Sequence, residues 1–408
     1  MTSLRIRMRV GAAALLVSLS ALPALAGVTI HCLYVGQADA TLIVSSSGKT
    51  LLFDGGDNGD GNSVIVPYLQ SLGIATLDYM AASHYHADHV GGLDEVYNAV
   101  GVTQAVYDRG WTYTTATYNA YANAVASKRQ TAVDGQVIDL GDGVTATVIA
   151  LNGNGTLPSP FNDSDEENAY CLALLIECGD FDFLVAGDLT GGYSSEQDVE
   201  TSVGLEAGDI EVYQVNHHGS YTSSNTAFMN ATTPEVAIIS VPTSSSYGHP
   251  HQDALNRMAA VGAYVYQTAQ GSAATYPVGM RTIVNGHIVV ATTGFGTYTV
   301  NGTVWDMDEQ GTPVPDAPLL LAVDNYPNPF NPATTIRFEV ASPGAVRLTV
   351  HDLAGRAVWS RGWNAPAGPQ QVLWEGRDAA GEALPSGVYL YRVEARDGGG
   401  DGRMTLVR

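Results

Sequence analysis

Apolar stretches at 28 to 36, 39 to 46 and 49 to 54 predict three consecutive strands at the start of the folded chain. Ser63 to Leu72 reads as the first helix, Leu77 to Ala82 as a short buried strand, and Val90 to Val96 as the opening of a second helical segment. A further helix is predicted over 115 to 128. Strands follow at 136 to 140, 144 to 151, 170 to 178, 181 to 187, 210 to 215 and 235 to 241. Between two of them, Asn152 to Glu167 is rich in Asn, Gly, Pro, Ser and acid, and reads as a long polar loop. Residues 280 to 305 alternate Ile, Val and Thr around Asn285-Gly286, the composition of a hairpin.

The two ends of the chain have different characters. Three arginines at 5, 7 and 9, an apolar run from Gly11 to Leu22, and Ala24-Leu25-Ala26 together predict a secretory leader over 1–26, too short for a membrane span. The mature chain is then expected to start near Gly27, with no transmembrane segment, and to be secreted or held at the cell surface. A body over 27–305 gives way at 306–324 to Asp, Gly and Pro, a linker composition. Short alternating strands separated by Gly and Pro turns over 325–408 predict a small all-β sandwich of immunoglobulin type. Three cysteines leave at least one thiol unpaired, and Cys171 and Cys178 are expected to face opposite sides of one strand as buried free thiols.

Charge sharpens this division. The chain carries a formal charge of -23, and the segment Gly27 to Asp306, with 6 basic against 29 acidic residues, accounts for that whole excess. Clustered Lys and Arg that would displace the counterions of a long nucleic acid are missing from it.

Chemistry concentrates in His84-Tyr85-His86-Ala87-Asp88-His89, where three imidazoles and a carboxylate share one turn after a buried strand. Such nitrogen and oxygen donors suit zinc or a similar divalent ion, and alternate residues pointing to different sides allow two ions. Gly91 and Gly92 permit a tight backbone beneath them. Asp188, just past the strand that ends Val185-Ala186-Gly187, and His217-His218, just past Val215, would emerge at the same mouth. Adjacent imidazoles cannot be separated by sequence, and either could be the ligand. His249 stands in a Tyr-Gly-His-Pro turn where it could steady a phosphoryl oxygen or protonate a leaving group. His251 has the weaker claim.

This loop resembles the hallmark of the metallo-β-lactamase superfamily. Cys32 to Ala40, Leu52-Phe53-Asp54-Gly55-Gly56, Ala186-Gly187-Asp188, His217-His218-Gly219-Ser220 and Tyr247-Gly248-His249-Pro250 further resemble, in order, the motifs of ComEC-type competence hydrolases. The resemblance covers roughly 28 to 276. It implies an α/β, four-layer αββα fold and two divalent metals, zinc with manganese as the alternative. His84, His86 and a bridging Asp188 would hold the first, and Asp88, His89 and His217 the second. Asp88, His218 and His249 would serve catalysis, and Asp54 would orient the histidine loop. A water shared by two such ions becomes a nucleophile near neutral pH, and the resemblance implies a phosphodiester, DNA or a smaller head-group diester, as its substrate. Two departures stand out: Asn168 occupies a position where many relatives carry a further histidine, and Tyr221 one where relatives often carry a cation. The tail, with Asn325 to Pro332 and Ser386 to Arg392, resembles the FlgD-like immunoglobulin fold used as a sorting tail by type IX secretion systems, which implies secretion machinery as a partner. A surface-displayed binding or adhesion module built on an enzyme fold is the competing class.

Overall fold

A computed structural model describes residues 27–154, 164–194, 196–307, 323–340, 344–352, 356–366, 368–395 and 398–408. The leader expected over 1–26, most of the expected linker and the centre of the polar loop lie outside the described residues.

Each of the two large sheets is half antiparallel and half parallel. In the nine-stranded sheet, Thr303–Asp306, Thr297–Val300, Ile288–Thr292, Val28–Cys32, Thr41–Ser45 and Thr50–Phe53 run antiparallel, and Leu77–Ala81, Val102–Asp108 and Arg129–Thr131 extend it in parallel. In the eight-stranded sheet, Val137–Gly141, Val144–Ala150, Ala173–Cys178 and Phe181–Val185 are antiparallel. Val212–Gln214, Val236–Ile239, Tyr264–Gln267 and Arg281–Ile283 then continue in parallel. Parallel strands need both faces covered, which is why all four residues of Val236–Ile239 are buried.

The sheets pack face to face through Ile30, Phe53, Ile138, Ile176, Phe183 and Trp305. Helices Val66–Ser71, Leu93–Val100 and Ala116–Ala124 cover the outer face of the first sheet, with Leu69, Val96 and Tyr121 buried against it. Glu200–Ala207, Thr226–Thr232 and Gln252–Ala260 cover the second through Val203, Phe228 and Leu255. This is the expected αββα stack. At about 1.5–3 kcal/mol for each large apolar side chain fully buried, the three apolar layers are its main source of stability. Because the parallel halves of both sheets end at one edge, the loops after Phe53, Ala81, Val185, Gln214 and Ile239 open there.

Several elements differ from the sequence expectation. The first helix opens as a wide turn over Gly61–Ile65 before Val66–Ser71 becomes α-helical, and the helix expected to reach 128 ends at Ala124. Asn285-Gly286 does not close a hairpin. Arg281–Ile283 lies parallel to Tyr264–Gln267 in one sheet while Ile288–Thr292 pairs with Val28–Cys32 in the other, so the turn carries the chain across the sandwich. The hairpin chemistry instead belongs to Asn301 and Gly302, both at positive φ, between Thr297–Val300 and Thr303–Asp306. All three cysteines are free and buried; Cys171 packs toward the outer helices and Cys178 between the sheets.

The tail forms its own small β structure. Asp324–Tyr326, Thr334–Val340 and Gly368–Trp374 make one sheet, and Ala357–Ala365, Gly344–His351, Gly387–Ala395 and Gly398–Leu406 the other. Ile336, Leu348, Trp374, Val393 and Met404 fill the space between them.

Candidate metal centre

Asp54 organises the histidine loop. It sits at φ 60 just past the strand Thr50–Phe53, fully buried, and accepts from Ser83 N at 2.7 Å, Ser83 Oγ at 2.7 Å and His89 Nδ1 at 2.8 Å. That last bond holds the Nδ1 proton toward Asp54, so that Nε2 is the nitrogen that would bind a cation on giving up its proton. Glu167 braces the same loop from behind. Its carboxylate accepts from Tyr85 N at 2.8 Å and from Arg109 through two nitrogens at 3.0 and 2.6 Å.

Asp188 stands at the centre, and its two oxygens divide the imidazoles. Oδ1 lies 3.1 Å from His89 Nε2 and 3.6 Å from His218 Nε2; Oδ2 lies 3.6 Å from His217 Nε2 and 4.0 Å from His84 Nε2. His84 Nε2 is in turn 3.0 Å from His86 Nδ1. Asp88 Oδ2 comes within 3.6 Å of His218 Nε2 and 4.0 Å of His89 Nε2. Gly187 makes this approach feasible, since a Cβ there would meet Ser83 Oγ at 2.4 Å.

The loop after the strand Val212–Gln214 separates two neighbouring imidazoles. His217 and His218 both adopt left-handed backbone (φ 51 and 53), a conformation that persists only where the surroundings enforce it. His217 N donates to Gly187 O at 3.0 Å, and Gly219 packs where a Cβ would meet Pro250 at 2.8 Å. Beneath the loop, buried Glu200 accepts from Asn216 Nδ2 at 2.7 Å, Ser224 N at 2.6 Å and Asn225 N at 2.7 Å. His218 Nδ1 donates to Ser240 O at 3.1 Å, which again leaves Nε2 directed into the centre. The expectation that His217 joins Asp88 and His89 is therefore reversed in the geometry. His218 is the imidazole beside them, while His217, with Nδ1 held by Thr222 Oγ1 at 3.2 Å, faces the oxygen of Asp188 that His84 faces.

Whether these residues fit a metal is tested by their unpaired atoms. His89 Nε2, Asp188 Oδ1 and His218 Nε2 are buried without a hydrogen-bond partner, although the first two are only 3.1 Å apart. Buried polar atoms left so are costly, by about 1–3 kcal/mol each. Donors that converge without bonding one another suit a common cation. Two sets of donor atoms lie within 4.8 Å of one another: His84, His86 and Asp188, and Asp39, His89, Asp188 and His218.

Electrostatics reflects the crowding. Burial pushes the Asp188 carboxyl up, but His217, His89 and His218 together hold it well below the carboxylate range. Burial lowers His89, yet Asp188, Asp54 and Asp88 raise it well above its ordinary value. His249 is pushed down to about 3 by burial and by His218 and His217. Its Nδ1 accepts from Gln37 Nε2 at 3.1 Å, an orientation supported by Ser245 Oγ donating to Gln37 Oε1 at 2.6 Å, so Nε2 carries the proton. His251 Nδ1 accepts from Tyr221 N at 3.1 Å and so pins the neighbouring loop.

Asp39 was given no role from sequence. It is buried, accepts from Gln214 Nε2 at 3.1 Å, and lies 3.7 Å from His218 Nδ1. An acid inside the largely apolar run from Ala38 to Val44 was the available signal. Glu167 and Glu200 were missed too, because a buried brace far away in sequence has no local pattern. Asn168 is half-buried, and its Oδ1 has no partner.

Residues 33–243 match the family profile of the Metallo-beta-lactamase superfamily, and residues 329–399 that of the FlgD Ig-like domain. The chain is 29% identical over 241 residues to the competence protein ComA of Neisseria gonorrhoeae, covering 59% of this chain and 31% of that one. It is 28% identical over 244 residues to Recombination protein 2 of Haemophilus influenzae, covering 59% and 27%. The matched region thus spans about a third or less of these relatives. Among solved structures, a diphosphatase from the PhnP family aligns with a TM-score of 0.36 and 14% identity over 60% of this chain and 96% of that one.

Proposed function

The chain belongs to the metallo-beta-lactamase superfamily, and from that membership we propose that it is an exported metal-dependent phosphodiesterase that cleaves DNA or a smaller phosphodiester. The observation that carries this reading is the convergence of His89 Nε2, His218 Nε2 and Asp188 Oδ1, all buried and unpaired, on one point. A binding module would have no use for donors held in such uncompensated positions.

In this reading Asp188 would help to hold each of two cations. His84, His86 and His217 share its Oδ2 side, and Asp88, His89 and His218 its Oδ1 side. Mixed imidazole and carboxylate donors suit zinc or manganese. Such ions supply a nucleophile near neutral pH and neutralise phosphoryl charge. The protein's own part is orientation. Asp54 and Ser240 O fix the tautomers of His89 and His218, so that both present Nε2. His249, neutral and anchored by Gln37, offers Nε2–H to a phosphoryl oxygen or to the departing alkoxide. The FlgD Ig-like domain supports the second half of the proposal, that the tail addresses the enzyme to secretion machinery of type IX kind.

The test is metal analysis of the purified protein with paired assays on bis-p-nitrophenyl phosphate and linear DNA. We expect bound divalent metal, turnover of at least one substrate with zinc or manganese, and a loss of at least a hundredfold in His86→Ala. Inactivity on both, with His86→Ala holding as much metal as wild type, would remove the enzyme reading.

A further inference from the structure

Among the described residues, the mouth of the site offers a substrate no unengaged lysine or arginine. The body of the chain has six basic side chains, and each is engaged elsewhere. Lys49 Nζ donates to Asp139 O, Lys128 Nζ to Thr103 O, and Arg109 and Arg129 to Glu167 and Asp108. Arg257 is spent on the carbonyls of Tyr221, Ser223 and Ser224, and Arg281 on Gln267 and Ala274 O. A long polyanion, which binds by lysine and arginine replacing its counterions, is poorly matched to such a mouth.

Aromatic rings stand at the rim instead. Tyr247 is 69% exposed, yet its ring stacks on His249 at 5.9 Å and 26°. His249 stacks in turn on His218 at 6.1 Å and 20°, and stands 5.6 Å from His217. The three near-parallel rings thus run from the metal centre outward. Tyr247 ends the series, with most of its surface in water. A single exposed tyrosine is ordinary. One held near-parallel to a site-facing imidazole, at a mouth without an unengaged lysine or arginine, is placed to receive another planar ring.

We infer that Tyr247 is the stacking platform for a nucleobase of the substrate. The ligand class is a short, single-stranded phosphodiester whose base lies on Tyr247 while its phosphate reaches the metal centre. Stacking tolerates every base, because each has a π-face, and it adds no salt dependence. The inference rests on the phosphodiesterase reading and narrows its substrate.

Binding separates the two ideas. Affinities of AMP and of ribose 5-phosphate for the metal-loaded protein are measured calorimetrically at 50 and 200 mM salt, in wild type, Tyr247→Ala and Tyr247→Phe. Wild type should bind AMP about tenfold tighter than ribose 5-phosphate, and that advantage should change less than twofold with salt. Tyr247→Ala should lose it while leaving ribose 5-phosphate unchanged, and Tyr247→Phe should keep it. Equal binding of the two ligands by wild type, or an equal loss of both in Tyr247→Ala, overturns the stacking inference alone. Failure of the metal-loaded protein to bind either phosphate overturns the phosphodiesterase reading with it.

Discussion

Asp188 is the residue on which the centre turns, because each of its oxygens faces a different pair of imidazoles. The division leads to distinct outcomes for two neighbours. His218→Ala should deplete the ion beside Asp88 and His89, and His217→Ala the one beside His84 and His86. Each variant should therefore retain close to one equivalent of metal after gel filtration, counted by mass spectrometry of the eluted metal, and cobalt substitution should give different visible spectra for the two. If His217→Ala keeps both equivalents as tightly as wild type, that histidine is not a ligand. Asp54→Asn keeps an acceptor for Ser83 but turns an amide toward His89. Loss of that support should weaken metal affinity by about 10- to 100-fold without unfolding the protein, as read by chelator competition beside a melting curve.

At the scale of elements, the edge opposite the metal centre stores charge that folding does not welcome. Glu235, at the start of the strand Val236–Ile239, accepts from Tyr298 Oη at 2.8 Å and so ties the two sheets together. Burial, outweighing that bond and reinforced by Glu211, Asp306 and Asp209, pushes it up to about 8. Glu211 is pushed up to about 7 and Asp182 to about 6, burial again leading. A carboxyl raised in the folded state binds more protons there than in the unfolded chain, so stability falls as pH climbs from the ordinary carboxylate value to the raised one. The melting temperature should accordingly decline between about pH 4.5 and 8. Glu235→Gln, which keeps an acceptor for Tyr298, should flatten the upper part of that decline. An unchanged slope would mean that the cluster is solvated well enough to ionise freely.

For the whole molecule, the charge of -23 is concentrated in the body that carries the site, while the tail forms a separate core around Trp374 and Leu348. Screening should relieve the self-repulsion of the body, so raising sodium chloride from 10 mM to 0.5 M should raise its melting temperature; a fall would show that the acids are paired rather than repelling. Much of this architecture was legible from the chain alone. Apolar periodicity marks the strands of both sheets, and His84 to His89 announce a metal loop, because all those donors sit within one turn and need no distant contact to come together. The other half of the centre was only partly readable. That Asp188 and the histidine pair reach the same mouth follows from strand ends, but which imidazole faces which oxygen depends on a left-handed backbone enforced by Gly187, Ser240 and Pro250, none of which is adjacent in sequence. Asp39 enters from a loop with no metal-like spacing, and Asn285-Gly286 has the local chemistry of a hairpin yet crosses between sheets because its flanking strands find better partners far away. Local patterns are written in neighbouring residues and were determined by the sequence itself. Pairings over a hundred residues or more are chosen by packing, and only the tertiary structure decided them.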